Sequence, residues 1–194
     1  MLLYIMATPR ERMISSTALL IRERGAHSTA ISDVLAHSGA PRGSAYHHFP
    51  GGRTQLLSEA VDFAADHIAA QIANTATGLE LLDAVVTRFR DALVESDFRA
   101  GCPVVAVAVE ADNGSVLDRA GAAFTRWIDL IAERLVLDGV DEPRARELAV
   151  FLTSSIEGAV VIARATRDVA PLDSTHRQLA VLMHAEMGST RDDR

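Results

Sequence analysis

Cysteine, lysine, aromatics and proline are all scarce in this sequence, and each shortage excludes something. One cysteine in 194 residues rules out an internal disulfide and leaves no thiolate set for zinc. Lysine is absent, so all nineteen basic residues are arginine, a usage that codon bias explains as well as chemistry does. Aromatics make up 5% of the chain, and no stretch alternates apolar with polar residues long enough to demand a half-buried strand. There are only six prolines and twelve glycines, with no low-complexity segment and no internal repeat. The apolar start, Met1-Leu2-Leu3-Tyr4-Ile5-Met6, stops well short of the roughly 20 residues a membrane span needs. Residues 1–8 therefore read as a disordered prefix and 189–194 as a disordered tail. The expectation is a cytoplasmic chain without a membrane partner.

Catalytic signatures are missing too. There is no Gly-x-Ser-x-Gly elbow, and Gly51-Gly52-Arg53-Thr54 lacks the Walker spacing. Cys102 has no base beside it in sequence and reads as a small buried hydrophobe. His47 and His48, being adjacent on a helix, point in different directions and make no metal site. No catalytic residue, metal or cofactor is expected. Glu110, Asp112, Asp129 and Glu133 read as solvated helix faces.

What the sequence holds in plenty is alanine, the best helix former: 32 residues. With 48% apolar and 23% charged residues, a folded, all-α protein is expected. The net charge of -7 hides an asymmetry. The first 53 residues carry +3 and four of the seven histidines, the remainder -10, as though one end alone meets a polyanion. Helical periodicity, Gly and Pro breaks and Ser/Thr caps predict helices at 10–24, 31–38 (capped by Thr29), 42–49 and 54–72 (capped by Thr54). Longer ones follow at 79–97, 103–111, 115–137, 142–167 and 174–187. The Val/Ala-rich run 104–109 has strand propensity but no partner strand, so it too is expected to be helical.

A supporting helix followed by two short helices on a Gly-Ala-Pro turn is the outline of a helix-turn-helix DNA reader. Its second short helix begins Arg42-Gly43-Ser44 and continues Tyr46-His47-His48-Phe49. Those residues offer a groove an arginine, a hydroxyl and backbone donors. At Tyr46 and Phe49, spaced i and i+3, Phe49 is expected in the core and the Tyr46 hydroxyl outside.

Gly25, Thr29, Ile31, Asp33, Val34, Gly39, Arg42-Gly43-Ser44, Tyr46, His48, Phe49-Pro50 and Gln55-Leu56-Leu57 together resemble the DNA-binding domain of the TetR family of transcriptional repressors. His48-Phe49-Pro50-Gly51-Gly52-Arg53 and Gly101-Cys102-Pro103 are similar to its LmrA/YxaF-like subgroup. The resemblance implies a helix-turn-helix domain at 9–53 and a helical ligand-binding and dimerisation domain at 54–188. It implies that Thr29, Arg42, Gly43, Ser44, Tyr46, His47, His48 and Arg53 meet double-stranded operator DNA, with Arg42 reading a base. Ala30 departs from a usual Thr or Ser, Pro41 from a frequent Ser, and Ala45 from a larger apolar residue.

By the same resemblance, an effector cavity is expected behind the reader. Phe89, Leu93, Val105, Val109, Phe124, Trp127, Ile128 and Phe151 recur at helical spacing and suit plain core as well as cavity wall, while Ser154, Ser155 and Glu157 would orient a guest. Ile156, Val160, Ala163, Leu179, Leu182 and Met183 on the last two helices are expected at a homodimer interface, with Gly158 permitting close approach. The reading is a ligand-responsive, homodimeric repressor released from its operator by a small lipophilic molecule. Its rival is a helical interaction module of the same shape that no longer binds DNA.

Overall fold

The computed structural model describes residues 8–111 and 114–189, and among them nine helices and no strand. The chain divides into two compact units. One runs up to Asp66 and takes back Cys102–Ala123; the other holds His67–Gly101 and everything from Phe124 on. The prefix and tail predicted from sequence lie outside the described residues except at their inner ends. Thr8 and Ser189 each join a helix there.

In the first unit, α1 (Pro9–Arg24) starts on a reciprocal cap. The Thr8 hydroxyl accepts the Glu11 N–H at 3.2 Å, and the Glu11 carboxylate accepts the Thr8 N–H at 2.7 Å. Gly25, at φ 87°, ends it. The helices α2 (Ile31–Ser38), α3 (Ser44–His48) and the start of α4 (Gly52–Ala73) close over one apolar cluster. Met13, Ile14, Leu20, Val34, Ala45, Phe49 and Leu56 form it. Contiguous burial of this kind is what holds so small a reader together. The helix α6 (Pro103–Glu110), opened by Pro103 at its first turn, packs on α1 with Val104 and Val107 buried. The run with strand propensity is therefore helical.

In the second unit, α9 (Ala170–Ser189) packs on both α5 (Gly78–Glu95) and α8 (Glu142–Thr166). The long α7 (Gly114–Leu137) adds Trp127, Ile131 and Leu135 to the buried set. A β-carbon at Gly78 would come within 2.8 Å of the terminal methyl of Met183 and 3.0 Å of Leu135, so glycine lets these side chains lie close against the start of α5. Three predicted starts are wrong, that of α3 (44 rather than 42) among them. α4 begins at Gly52 rather than on a Thr54 cap, its turn closed by the Gly52 N–H on the Phe49 carbonyl at 2.8 Å. α9 begins at Ala170 rather than 174, because the Asp168 carboxylate accepts the Ala170 N–H at 2.9 Å.

Candidate functional site

The two short helices of the first unit present the polar chemistry. α2 ends on Gly39 in the left-handed region, φ 65°, which turns the chain towards α3. That helix is shorter than predicted. Arg42 and Gly43 precede it in a turn closed by Ser44, whose N–H and hydroxyl both donate to the Pro41 carbonyl, at 2.9 and 2.7 Å. Ala45 and Phe49, four residues apart, point into the core. Arg42, Gly43, Tyr46 and His47 therefore stand outward, Tyr46 69% exposed, and His48 is half-buried with its ring edge-on to both His47 and Phe49. Among the described residues Arg42 makes no hydrogen bond or ion pair, so its forked donors are available to a guanine edge or a phosphate.

Other arginines of this unit brace the reader instead. Arg53 donates through Nε to the Thr29 carbonyl at 2.9 Å and through a terminal nitrogen to the carbonyls of Ala26 and His27. Its guanidinium thus holds the α1–α2 loop while the residue stays exposed, a brace that leaves room for the phosphate contact expected of it. The expectation for Thr29 is corrected. It is 2% exposed, and its hydroxyl donates inward to the Gly25 carbonyl at 2.8 Å, so it neither caps α2 nor reaches solvent. Arg10 pairs with Glu59 at 2.6 Å and lies 5.3 Å over the Phe49 ring. Glu59 in turn accepts from Gln55, whose amide oxygen takes the Gly51 N–H at 2.8 Å. Arg12 reaches the Ser38 carbonyl at 3.3 Å. Sequence alone gave no sign of these braces, because i to i+26 or i+49 pairings leave no local pattern.

The second unit holds a small apolar cavity of about 30 Å³, walled by Ile68 and Ile72 of α4, Leu81, Leu82, Val85 and Phe89 of α5, Trp127 and Ile131 of α7, and Leu152, Thr153, Ile156 and Glu157 of α8. Of the residues predicted for it, Phe89, Trp127 and Glu157 line it. Phe124 meets Trp127 edge to face at 5.4 Å but does not line the cavity, and neither do Leu93 and Ile128. Val105 and Val109 belong to α6 in the first unit, and Val109 is 80% exposed. Phe151 is 52% exposed and Ser154 faces outward; Ser155 is half-buried but not on the wall. The residues of α8 that line the cavity are 152, 153, 156 and 157.

The same rotation corrects the predicted dimer face. Ile156, Val160, Ala163, Leu179 and Met183 are buried within the single chain, and Leu182 is half-buried. The apolar residues left outside are Val150, Phe151, Val161 and Ile162 of α8 and Val181 of α9. Those of α8 flank Gly158 along the helix, where an added β-carbon would meet nothing within 4 Å. By length and hydropathy α8 could cross a membrane. Apolar on both faces, it gives no clue in sequence to which face is inward.

Comparison with known proteins places this geometry. The profile for bacterial regulatory proteins of the tetR family matches residues 14–60, and that for the LmrA/YxaF-like C-terminal domain matches 78–178. The chain belongs to the TetR family. It is 59% identical over 189 residues to an uncharacterised HTH-type transcriptional regulator of Mycobacterium tuberculosis, covering 94% of this chain and 97% of that one. It is 28% identical over 169 residues to the HTH-type transcriptional regulator LmrA of Bacillus subtilis, covering 84% and 90%. A TetR regulator from Legionella pneumophila superposes with a TM-score of 0.79 at 20% identity, over 91% and 98% of the two chains.

This TetR chain is therefore a DNA-binding transcriptional regulator of the LmrA/YxaF-like subgroup and not an enzyme. Regulators of the family bind operator DNA and act as dimers. Its departures from the family pattern have local explanations. Ala30 caps α2 without a hydroxyl, and the Asp33 carboxylate takes its N–H at 3.2 Å. Ala45 is buried in the reader core, where its small side chain sits beneath α3.

Proposed function

We propose that this TetR-family regulator is a cytoplasmic, homodimeric repressor that a small apolar effector releases from its operator. The observation that carries the reading is the cavity, whose wall is almost wholly apolar. At about 30 Å³ the cavity is far smaller than the roughly 300 to 1,000 Å³ of a drug-sized site, so a guest of that size would spread α4, α5, α7 and α8 on entering. One of these, α4, carries Arg53 near one end and the wall residues Ile68 and Ile72 near the other. A guest that binds only the spread state shifts the population away from the DNA-reading one.

On DNA, Arg42 reads a base, and Tyr46, His47 and His48 contact phosphates. The recognition helices of two subunits enter major grooves about 34 to 36 Å apart, or a multiple of that. The outward apolar stripe of α8 and α9 is the face on which the second copy seats. Buried there, it would also account for the hydropathy of α8.

Trp127 is the only tryptophan and lines the cavity, so its fluorescence reports occupancy. Lipophilic aromatic compounds should change that fluorescence and release operator DNA over the same concentration range, because coupling between two sites is reciprocal. Compounds that change the fluorescence without releasing DNA would refute effector control.

A further inference from the structure

The loop between α1 and α2 aims the reader, and it is held from two sides. Arg53 takes its carbonyls at Ala26, His27 and Thr29. From the other side comes Glu110, the last residue of α6, whose carboxylate accepts the His27 N–H at 2.9 Å. That carboxylate lies directly over Gly25, where a β-carbon would come within 2.3 Å of it. Gly25 thus serves twice: it adopts φ 87°, and it leaves room for the carboxylate. The chain enters α6 from the second unit and returns to it through α7.

We infer that Glu110 is a positioning residue for operator binding, fixing the α1–α2 loop through the His27 N–H so that the aim of the reader depends on the seat of α6. It touches neither base nor phosphate in this role. A carboxylate on a backbone N–H is a charge-assisted bond, and its loss leaves the loop held from one side only.

The test is the full chain on DNA from upstream of its own gene, followed by fluorescence anisotropy over a salt series. E110A should weaken operator binding roughly three- to tenfold with an unchanged salt slope, since no phosphate contact is lost. E110Q, which keeps an oxygen to accept the N–H, should restore most of the affinity. Unchanged affinity in E110A would overturn the inference. So would equal tightening in E110A and E110Q, which would mean that Glu110 acts by repelling DNA. G25A and E110A should be non-additive, because a β-carbon at Gly25 expels the same carboxylate; strict additivity would count against it. Amide exchange in the unmodified protein gives a reading free of folding defects. The His27 amide should be protected, and exchange at the rate of an open loop would overturn the inference even if no variant folds.

Discussion

Arg53 at the start of α4 and Thr29 at the end of the α1–α2 loop are joined by a hydrogen bond from the guanidinium Nε to the Thr29 carbonyl, 2.9 Å long. The residue that charge alone would assign to phosphate is thereby tied to backbone.

Replacing Arg53 by Ala should therefore lower the melting temperature, at a cost of about 1 to 3 kcal/mol for the lost charged hydrogen bonds, and weaken operator binding with little change in salt slope. Thermal melts and a salt titration check this. A slope flattened by about one unit per subunit, with an unchanged melt, would return Arg53 to the phosphate backbone.

Arg42 makes the opposite case, exposed and unengaged among the described residues. Arg42→Ala should leave the melt unchanged, cost about 1 to 3 kcal/mol of operator binding and relax preference at one position per half-site. Binding to a set of singly substituted operators reads this out; uniform weakening on all of them would make Arg42 a phosphate contact.

On α8 the two faces should separate. Phe151→Asp, on the outward stripe, should give a folded monomer in sedimentation that no longer binds operator. Ile156→Ala, on the buried face, should cost about 2 to 5 kcal/mol of stability by leaving a cavity, with association unaffected in whatever remains folded. A dimeric Phe151→Asp would move the interface elsewhere.

How far the sequence carries this can be read from particular helices. α2 begins at Ile31 and ends at Ser38 as the Gly39 break predicts, and Phe49 is buried while Tyr46 is exposed, because in a strongly amphipathic reader periodicity and breaks agree. α8 defeats the same logic. It carries apolar residues at 148, 152 and 156 and again at 150, 151, 161 and 162, and nothing local decides which row meets its own chain. The roles of Arg53, Arg10 and Glu110 stayed hidden for a different reason. Each is fixed by a partner 24 to 83 residues away, a relation that spacing does not encode.

Ser16 on α1 is fully buried, and its hydroxyl has no partner among the described residues. Such a group costs desolvation without a compensating bond. Ser16→Ala should leave the melting temperature equal or higher, and a clear loss of stability would mean that the hydroxyl is satisfied.

His67 on α4 accepts from Arg88 on α5 at 2.8 Å, and its pKa lies below the usual 6.5, first through burial and then through the Arg88 charge. The folded chain takes up this proton less readily than the unfolded one. The stability it allows is present above pH 6.5 and is lost as pH falls through the lowered value. Melting temperature measured from pH 8 down to pH 5 should show a decline below about 6.5 that His67→Gln reduces; parallel curves would remove His67 as the cause.

The most direct test of the central claim, a dimer reading DNA through Arg42, is a salt-controlled footprint of the full chain on DNA upstream of its own gene, beside Arg42→Ala and Phe151→Asp. Two protected half-sites centred about 10 to 10.5 base pairs apart, or a multiple of that, with protection weakened in the first variant and abolished in the second, are the predicted result. Protection without a repeat, or an equal footprint from all three proteins, would contradict it.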